Sequence, residues 1–261
     1  MISLVLVETI FSWGYILKPP YLALGGKSLP YPSPTTLVGA LTYPYMRYRG
    51  DAREIIFIDR KPHSPAVNLL DKVKYAVMGY LKPSSIQVVD INKYASYGYL
   101  RGTYRERKEM WFSIMGVGKN YTPYKSVIAY LVKREHIEEI GKIAWGITRI
   151  GSKEGLVSVK KVTVIREPET ITRKRVKTIF PVPARLVKTP MDNYDKIKFW
   201  RLCRETYSTI KDPSEYMEDY YVPRHVGGVY GGEMTVELEP DKSTLYNTPY
   251  GPLVIPKDII W

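Results

Sequence analysis

An α+β fold, in which a four-stranded antiparallel sheet carries both helices on one face, is what this 261-residue sequence predicts. Three observations lead there. Apolar segments along residues 1–166 change period in the order strand, helix, strand, strand, helix, strand. A content of 44% hydrophobic and 13% aromatic residues supplies an ordinary core. The single Cys203 and the scattered His63, His136 and His225 exclude a disulfide scaffold and a zinc finger. The pattern is the ferredoxin-like (RRM-like) arrangement shared by many RNA-binding modules, and fold alone does not name a function.

The elements follow in chain order. Residues 2–7 are a short aliphatic and β-branched run between polar residues, which predicts a buried strand. After a Gly/Pro-rich loop, Ser33 offers a helix N-cap and Pro34 the first helical position, so a helix starts there and is expected to end near Pro44. Residues 73–81 and 125–133 are two further strands, with a helix as the alternative for the first. Between 134 and 147, Ile137, Ile140, Ile143, Ala144 and Ile147 fall at helical spacing, with Glu135, Glu138, Glu139 and Lys142 opposite. A polar loop with Gly151 and Gly155 leads into the alternation of 156–164, the fourth strand. Two pieces lie outside this order. Residues 83–124 are an insertion between the two central strands, long enough to be functional or an interaction arm. Residues 167–261 form a Pro/Gly-rich, β-containing C-terminal extension, expected to pack on the first domain and to hold one helix over 194–210.

Charge divides the chain at the same place. Lys and Arg total 39 against 26 Asp and Glu, a net +13. Residues 1–166 hold 25 basic against 12 acidic residues, whereas 167–261 hold 14 of each. A thermophile surface enriched in charge for stability would have balanced signs. The asymmetry therefore points to a polyanion for the first part, either nucleic acid or an anionic membrane surface. No apolar run approaches the roughly 18 residues of a membrane helix, and Glu8 stands where a signal peptide carries basic residues, so a cytoplasmic protein is expected.

Candidate chemistry concentrates in two places. The insertion interleaves Tyr94, Tyr97, Tyr99 and Tyr104 with Arg101, Arg105, Arg107 and Lys108. Ring faces stack on splayed bases while guanidinium groups hold phosphates, a combination suited to single-stranded nucleic acid. The alternative is that the rings pack on the sheet and the cations solubilise an edge. In the loop, Arg149, Ser152 and Lys153 sit between glycines and can hold a phosphate, or the segment is a plain helix-to-strand connection. The loop follows a helix and lacks Walker spacing, which argues against ATP. For catalysis there is no HExxH and no GxSxG. His63 is the one candidate base for RNA cleavage, against the plainer reading of a solvated loop histidine. No cofactor and no metal are expected.

Pro32-Ser33-Pro34-Thr35-Thr36-Leu37-Val38-Gly39-Ala40-Leu41, preceded by Lys18-Pro19-Pro20-Tyr21, resembles the N-terminal signature of the Cas five family of CRISPR-associated proteins. Arg149-Ile150-Gly151-Ser152-Lys153-Glu154-Gly155 is similar to its glycine loop. The resemblance covers residues 1–166, and the brevity of the remainder is similar to the archaeal subtype A (type I-A) form. It implies a ferredoxin-like domain (1–166) with residues 83–124 as an inserted thumb. It implies a non-catalytic subunit of the Cascade surveillance complex of antiviral defence, holding the 5′ handle of the CRISPR RNA. Lys18, Tyr21, Arg149, Ser152, Lys153, Tyr97, Tyr99, Arg101, Arg105 and Arg107 would then meet RNA. The implied partners are the CRISPR RNA, the Cas seven backbone that the subunit caps, and the large subunit. Target DNA would be met indirectly. One subtype of the family processes the pre-CRISPR RNA with a tyrosine and an adjacent Lys-His pair. This chain has no Lys-His dipeptide, so endoribonuclease activity stands as the alternative.

Overall fold

The computed structural model describes residues 2–17, 19, 28–96, 111–121, 125–152, 154–208, 212 and 214–259. Strand β1 spans Ile2–Phe11 and outruns the apolar segment that predicts it. Its polar end is held because Thr9 is buried and its hydroxyl lies 2.8 Å from that of Ser126 on a neighbouring strand. Helix α1, Pro34–Tyr48, begins where expected, with the Thr36 N–H donating to the Ser33 hydroxyl oxygen at 3.3 Å. It does not stop near Pro44. Proline removes one intrahelical hydrogen bond, but Leu41, Tyr45 and Met46 around it are buried, and its ring presses on Gly146 so closely that a Cβ there would lie 2.6 Å away. Burial of each large apolar side chain stabilises by about 1.5–3 kcal/mol, enough to carry the helix through.

Strands β2 (Val73–Tyr80), β3 (Pro83–Ser96), β4 (Trp111–Tyr121) and β5 (Lys125–Lys133) follow. A 3-10 turn at Arg134–His136 then opens α2 (Ile137–Ala144), and β6 is Val157–Ile165. The order anticipated along 1–166 is present, and the main sheet runs β2-β5-β1-β6 with every pair antiparallel. The strand at 73–80 is thus an edge of this sheet rather than a central strand. α1 packs on β2, α2 packs on β1 and β6, and the helices touch each other.

Directly paired residues share a face of an antiparallel sheet. The Tyr130 hydroxyl donates to the Leu37 carbonyl of α1 at 2.8 Å, so Tyr130 and its partners Ala76 and Val5 face the helices. Tyr75, Val77 and Gly79 alternate with them and face the other way. That second face is covered from the C-terminal part: a Cβ at Gly79 would sit 2.7 Å from the Ile179 carbonyl oxygen. Phe180, Phe199, Tyr220 and Val222 belong to the same buried cluster as Leu4, Tyr130 and Ile140. A smaller cluster, including Val176, Val236 and Val254, lies within the C-terminal part itself.

β3 and β4 form a long antiparallel pair, in register from Ile86↔Tyr121 to Ser96↔Trp111. At its base it joins Gly14–Tyr15 on one side and Tyr230–Gly231 on the other. Over the described residues 194–208, the helix expected across 194–210 is absent. Strand β7, Tyr194–Trp200, pairs antiparallel with β8, Met217–Pro223, and only a 3-10 turn at Glu205–Tyr207 is helical. Burial alternates along Lys196, Ile197, Lys198 and Phe199, and both lysines reach Asp219 at 2.9 Å across the pair. The period is two, not 3.6. Among the described residues no helix is long and apolar enough to cross a membrane, and no cluster of His, Cys, Asp or Glu is placed to hold a metal ion.

Candidate nucleic-acid interface

The glycine loop is a tight turn built between α2 and β6. The Ile150 N–H donates to the Gly155 carbonyl at 2.9 Å, Gly155 N–H to Ser152 at 3.0 Å, and Val157 N–H to Thr148 at 2.9 Å. Arg149 and Leu156 face each other as an antiparallel bridge. Its glycines answer to protein contacts. Gly151 has φ +77°, and a Cβ there would lie 2.5 Å from Leu17 Cδ2; a Cβ at Gly155 would lie 2.1 Å from the Ile150 carbonyl oxygen. Close backbone approach, which the sequence assigns to a phosphate, is spent on seating the loop against Leu17 and closing the turn. Buried Ile150 anchors the loop from below. The Ser152 hydroxyl is buried without a hydrogen-bond partner.

Arg149 lies at the junction of two cavities of about 620 and 600 Å³ that run along the outer face of α1. The helix contributes Thr36, Gly39, Tyr43 and Arg47 to this groove, at spacings of three, four and four that place them on one stripe. The core stripe of Leu37, Val38, Leu41 and Tyr45 turns the other way. Nothing lies within 4 Å of a Cβ built on Gly39, so the groove is open there. Tyr43 is 52% exposed, and the Arg47 guanidinium stands 5.6 Å from its ring centroid while donating to its hydroxyl at 3.2 Å. Arg53, at the far end, is occupied: its hydrogen bonds hold the Asp51 carboxyl down at about 2. Neither Arg47 nor Arg149 forms an ion pair with a carboxylate among the described residues. A groove with two guanidinium groups unpaired with carboxylates and an exposed ring can hold phosphates and stack a base.

Of the residues singled out from sequence, Arg149 and Ser152 are brought together in this loop. Lys18, Tyr21, Tyr97, Tyr99, Arg101, Arg105, Arg107 and Lys153 lie outside the described residues. Tyr43 and Arg47 were missed. The signal was the polar stripe at 36, 39, 43 and 47, which an α1 ending near Pro44 cuts short.

His63 departs from the reading of a solvated loop residue. It ends the short strand Lys61–His63, is 7% exposed, and its Nδ1 lies 3.0 Å from the Lys61 carbonyl oxygen. Its backbone pairs with Ser208 as an isolated antiparallel bridge. It lines a cavity of about 660 Å³ with the cations Lys61 and Arg204 and the carboxylates Asp59, Glu205, Asp212 and Glu215.

No family model matches the chain. Among curated proteins it is 29% identical over 189 residues to the CRISPR system aCascade subunit Cas5 1 of Saccharolobus solfataricus, covering 72% of this chain and 75% of that one. It is 23% identical to the CRISPR-associated protein Cas5 2 of the same organism over 241 residues, 89% of this chain and 87% of the other. Among solved structures, a CRISPR protein from Archaeoglobus fulgidus superposes with a TM-score of 0.61 at 19% identity, over 98% of this chain and 100% of that chain, and so shares its fold.

Proposed function

We propose that this chain, a relative of the archaeal Cas5 proteins, is a non-catalytic, RNA-binding subunit of a type I CRISPR surveillance complex. In this reading residues 1–166 are a ferredoxin-like domain, the hairpin within 83–124 is its thumb, and the 5′ handle of the CRISPR RNA runs along the α1 groove past the glycine loop. The thumb and its flanks meet the Cas seven backbone, which the subunit caps, and the neutral C-terminal part is left for the large subunit. The observation that carries this is the pair Arg47 and Arg149, unpaired with carboxylates and set around exposed Tyr43. RNA cannot use the sheet as a stacking platform in the manner of an RRM, because its non-helical face is covered by residues that include Ile179. The test is filter binding of two RNAs of equal length, with and without a repeat-derived 5′ tag. Preference for the tagged strand is expected, and equal retention of both would contradict handle recognition.

One observation favours a second reading, the metal-independent endoribonuclease. With Nδ1 turned to the Lys61 carbonyl, buried His63 presents Nε2 as its remaining ring nitrogen in a cavity that also contains Lys61 and Tyr216. Four carboxylates against two cations make that cavity a poor host for a phosphodiester. Purified protein is expected to leave a repeat transcript intact, with His63→Ala silent. Cleavage at the repeat boundary that His63→Ala abolishes would establish the nuclease.

A further inference from the structure

A third cavity, of about 360 Å³, lies at the edge of the main sheet where the C-terminal part closes over β2. It shares no lining residue with the α1 groove. Tyr75 projects from β2 away from the helices and is 5% exposed; its hydroxyl is buried and has no hydrogen-bond partner. Tyr220 of β8, 3% exposed, lines the same cavity. Burial raises both phenols well above their ordinary range, so each hydroxyl keeps its proton and can donate. Three cations converge there. Arg185 is committed to Glu218 and Asp258, each at 2.6 Å, and offsets one of these two negative charges. Lys74 and Arg201 line it without an ion pair among the described residues. A buried hydroxyl left without an acceptor, beside two uncommitted cations, is complementary to an oxyanion.

We propose that this cavity is an anion site that takes the phosphate of a single nucleotide, with Tyr75 donating a hydrogen bond and Lys74 and Arg201 supplying the counter-charge. A phosphate has three peripheral oxygens to distribute among a phenol, an ammonium and a guanidinium. The remainder of the cavity suits the rest of a nucleotide. Its volume is at the lower end of the ligand-pocket range of about 300–1,000 Å³, and Leu202, Pro256 and Ile259 give it an apolar wall. A nucleotide free in solution and the terminal nucleotide of a strand present the same chemistry.

Titration calorimetry on the full chain tests this with inorganic phosphate, adenosine monophosphate, adenosine and a 5′-phosphorylated dinucleotide. Phosphate and adenosine monophosphate are expected to bind saturably while adenosine does not. Tyr75→Phe, which keeps the ring, should weaken binding about tenfold, and Lys74→Ala with Arg201→Ala about a hundredfold or more. Arg149→Ala should leave all these affinities unchanged, which separates this site from the RNA groove. A dinucleotide that binds about tenfold more tightly than the mononucleotide identifies a strand end as the source, and equal affinities identify a free nucleotide. Ligand-free Tyr75→Phe should melt no lower than the parent, because it removes a hydroxyl that bonds to nothing; phosphate should raise the melting temperature of the parent more than that of the variant. No saturable phosphate binding, parental affinity in Tyr75→Phe, or tighter binding of an acidic peptide than of phosphate would each overturn the proposal.

Discussion

At Gly155 a single added methyl group would meet the Ile150 carbonyl oxygen at 2.1 Å, inside the hydrogen bond that closes the loop. The turn must open to admit it, and Arg149 moves with its side of the bridge. Gly155→Ala is therefore expected to lower stability by about 1–3 kcal/mol, the usual cost of overpacking. It should also weaken RNA binding per folded molecule, measured by thermal melting and filter retention on the same preparation. Parental values in both would show that the turn has room the geometry denies. Arg149 and Ser152 were legible in the sequence because a glycine loop with a cation and a hydroxyl announces itself locally. Tyr43 was not, since one exposed tyrosine on a helix carries no signal until Arg47 and Arg149 are placed beside it. His63 was misjudged for a related reason: its backbone partner, Ser208, lies 145 positions further along.

Among the elements, β1, α1, β5, α2 and β6 were readable because each has an unambiguous period and a local boundary signal. Where the reading failed, tertiary contacts decided. α1 runs past Pro44 because Gly146 receives the proline, and β7 is a strand because β8 is there to pair with it. The hairpin of β3 and β4 was visible only as an insertion. It is anchored at its base by short pairings to Gly14–Tyr15 and Tyr230–Gly231. Replacing residues 88–119, which pair at Val88↔Lys119, by an Asn-Gly turn should keep the cooperative melting of the main sheet. Assembly with a guide-loaded partner filament should be lost if the hairpin is an interaction arm. Collapse of the cooperative transition would instead make the hairpin part of the core.

Across the whole molecule, burial and charge pull on different variables. Tyr15, Tyr31 and Tyr130 are buried, and burial lifts their phenols well above the ordinary range, while that of Tyr230 is pushed up to about 12, by burial first and Asp195 second. A phenol with a raised folded pKa keeps its proton longer in the folded state than in the unfolded one. Its stabilising contribution is therefore complete below the unfolded value of about 10 and declines as pH rises through it. Phenolate absorbance should rise in two steps, exposed tyrosines first and buried ones together with cooperative alkaline unfolding. A single smooth titration with the fold intact would mean that the buried tyrosines are reached by solvent.

Charge makes the more direct statement about function. The excess of +13 lies in residues 1–166, and the α1 groove is where two of its arginines stand uncommitted. The deciding measurement is the affinity for tagged single-stranded RNA across a salt series, for the parent and for the Arg47→Ala, Arg149→Ala double variant. Each phosphate contact contributes a slope of about −0.7 in log affinity against log salt for a single strand. The double variant is expected to bind more weakly at low salt and to have a slope shallower by about 1.4, with unchanged melting. Parental affinity and slope in the double variant would contradict the assignment of the groove to RNA.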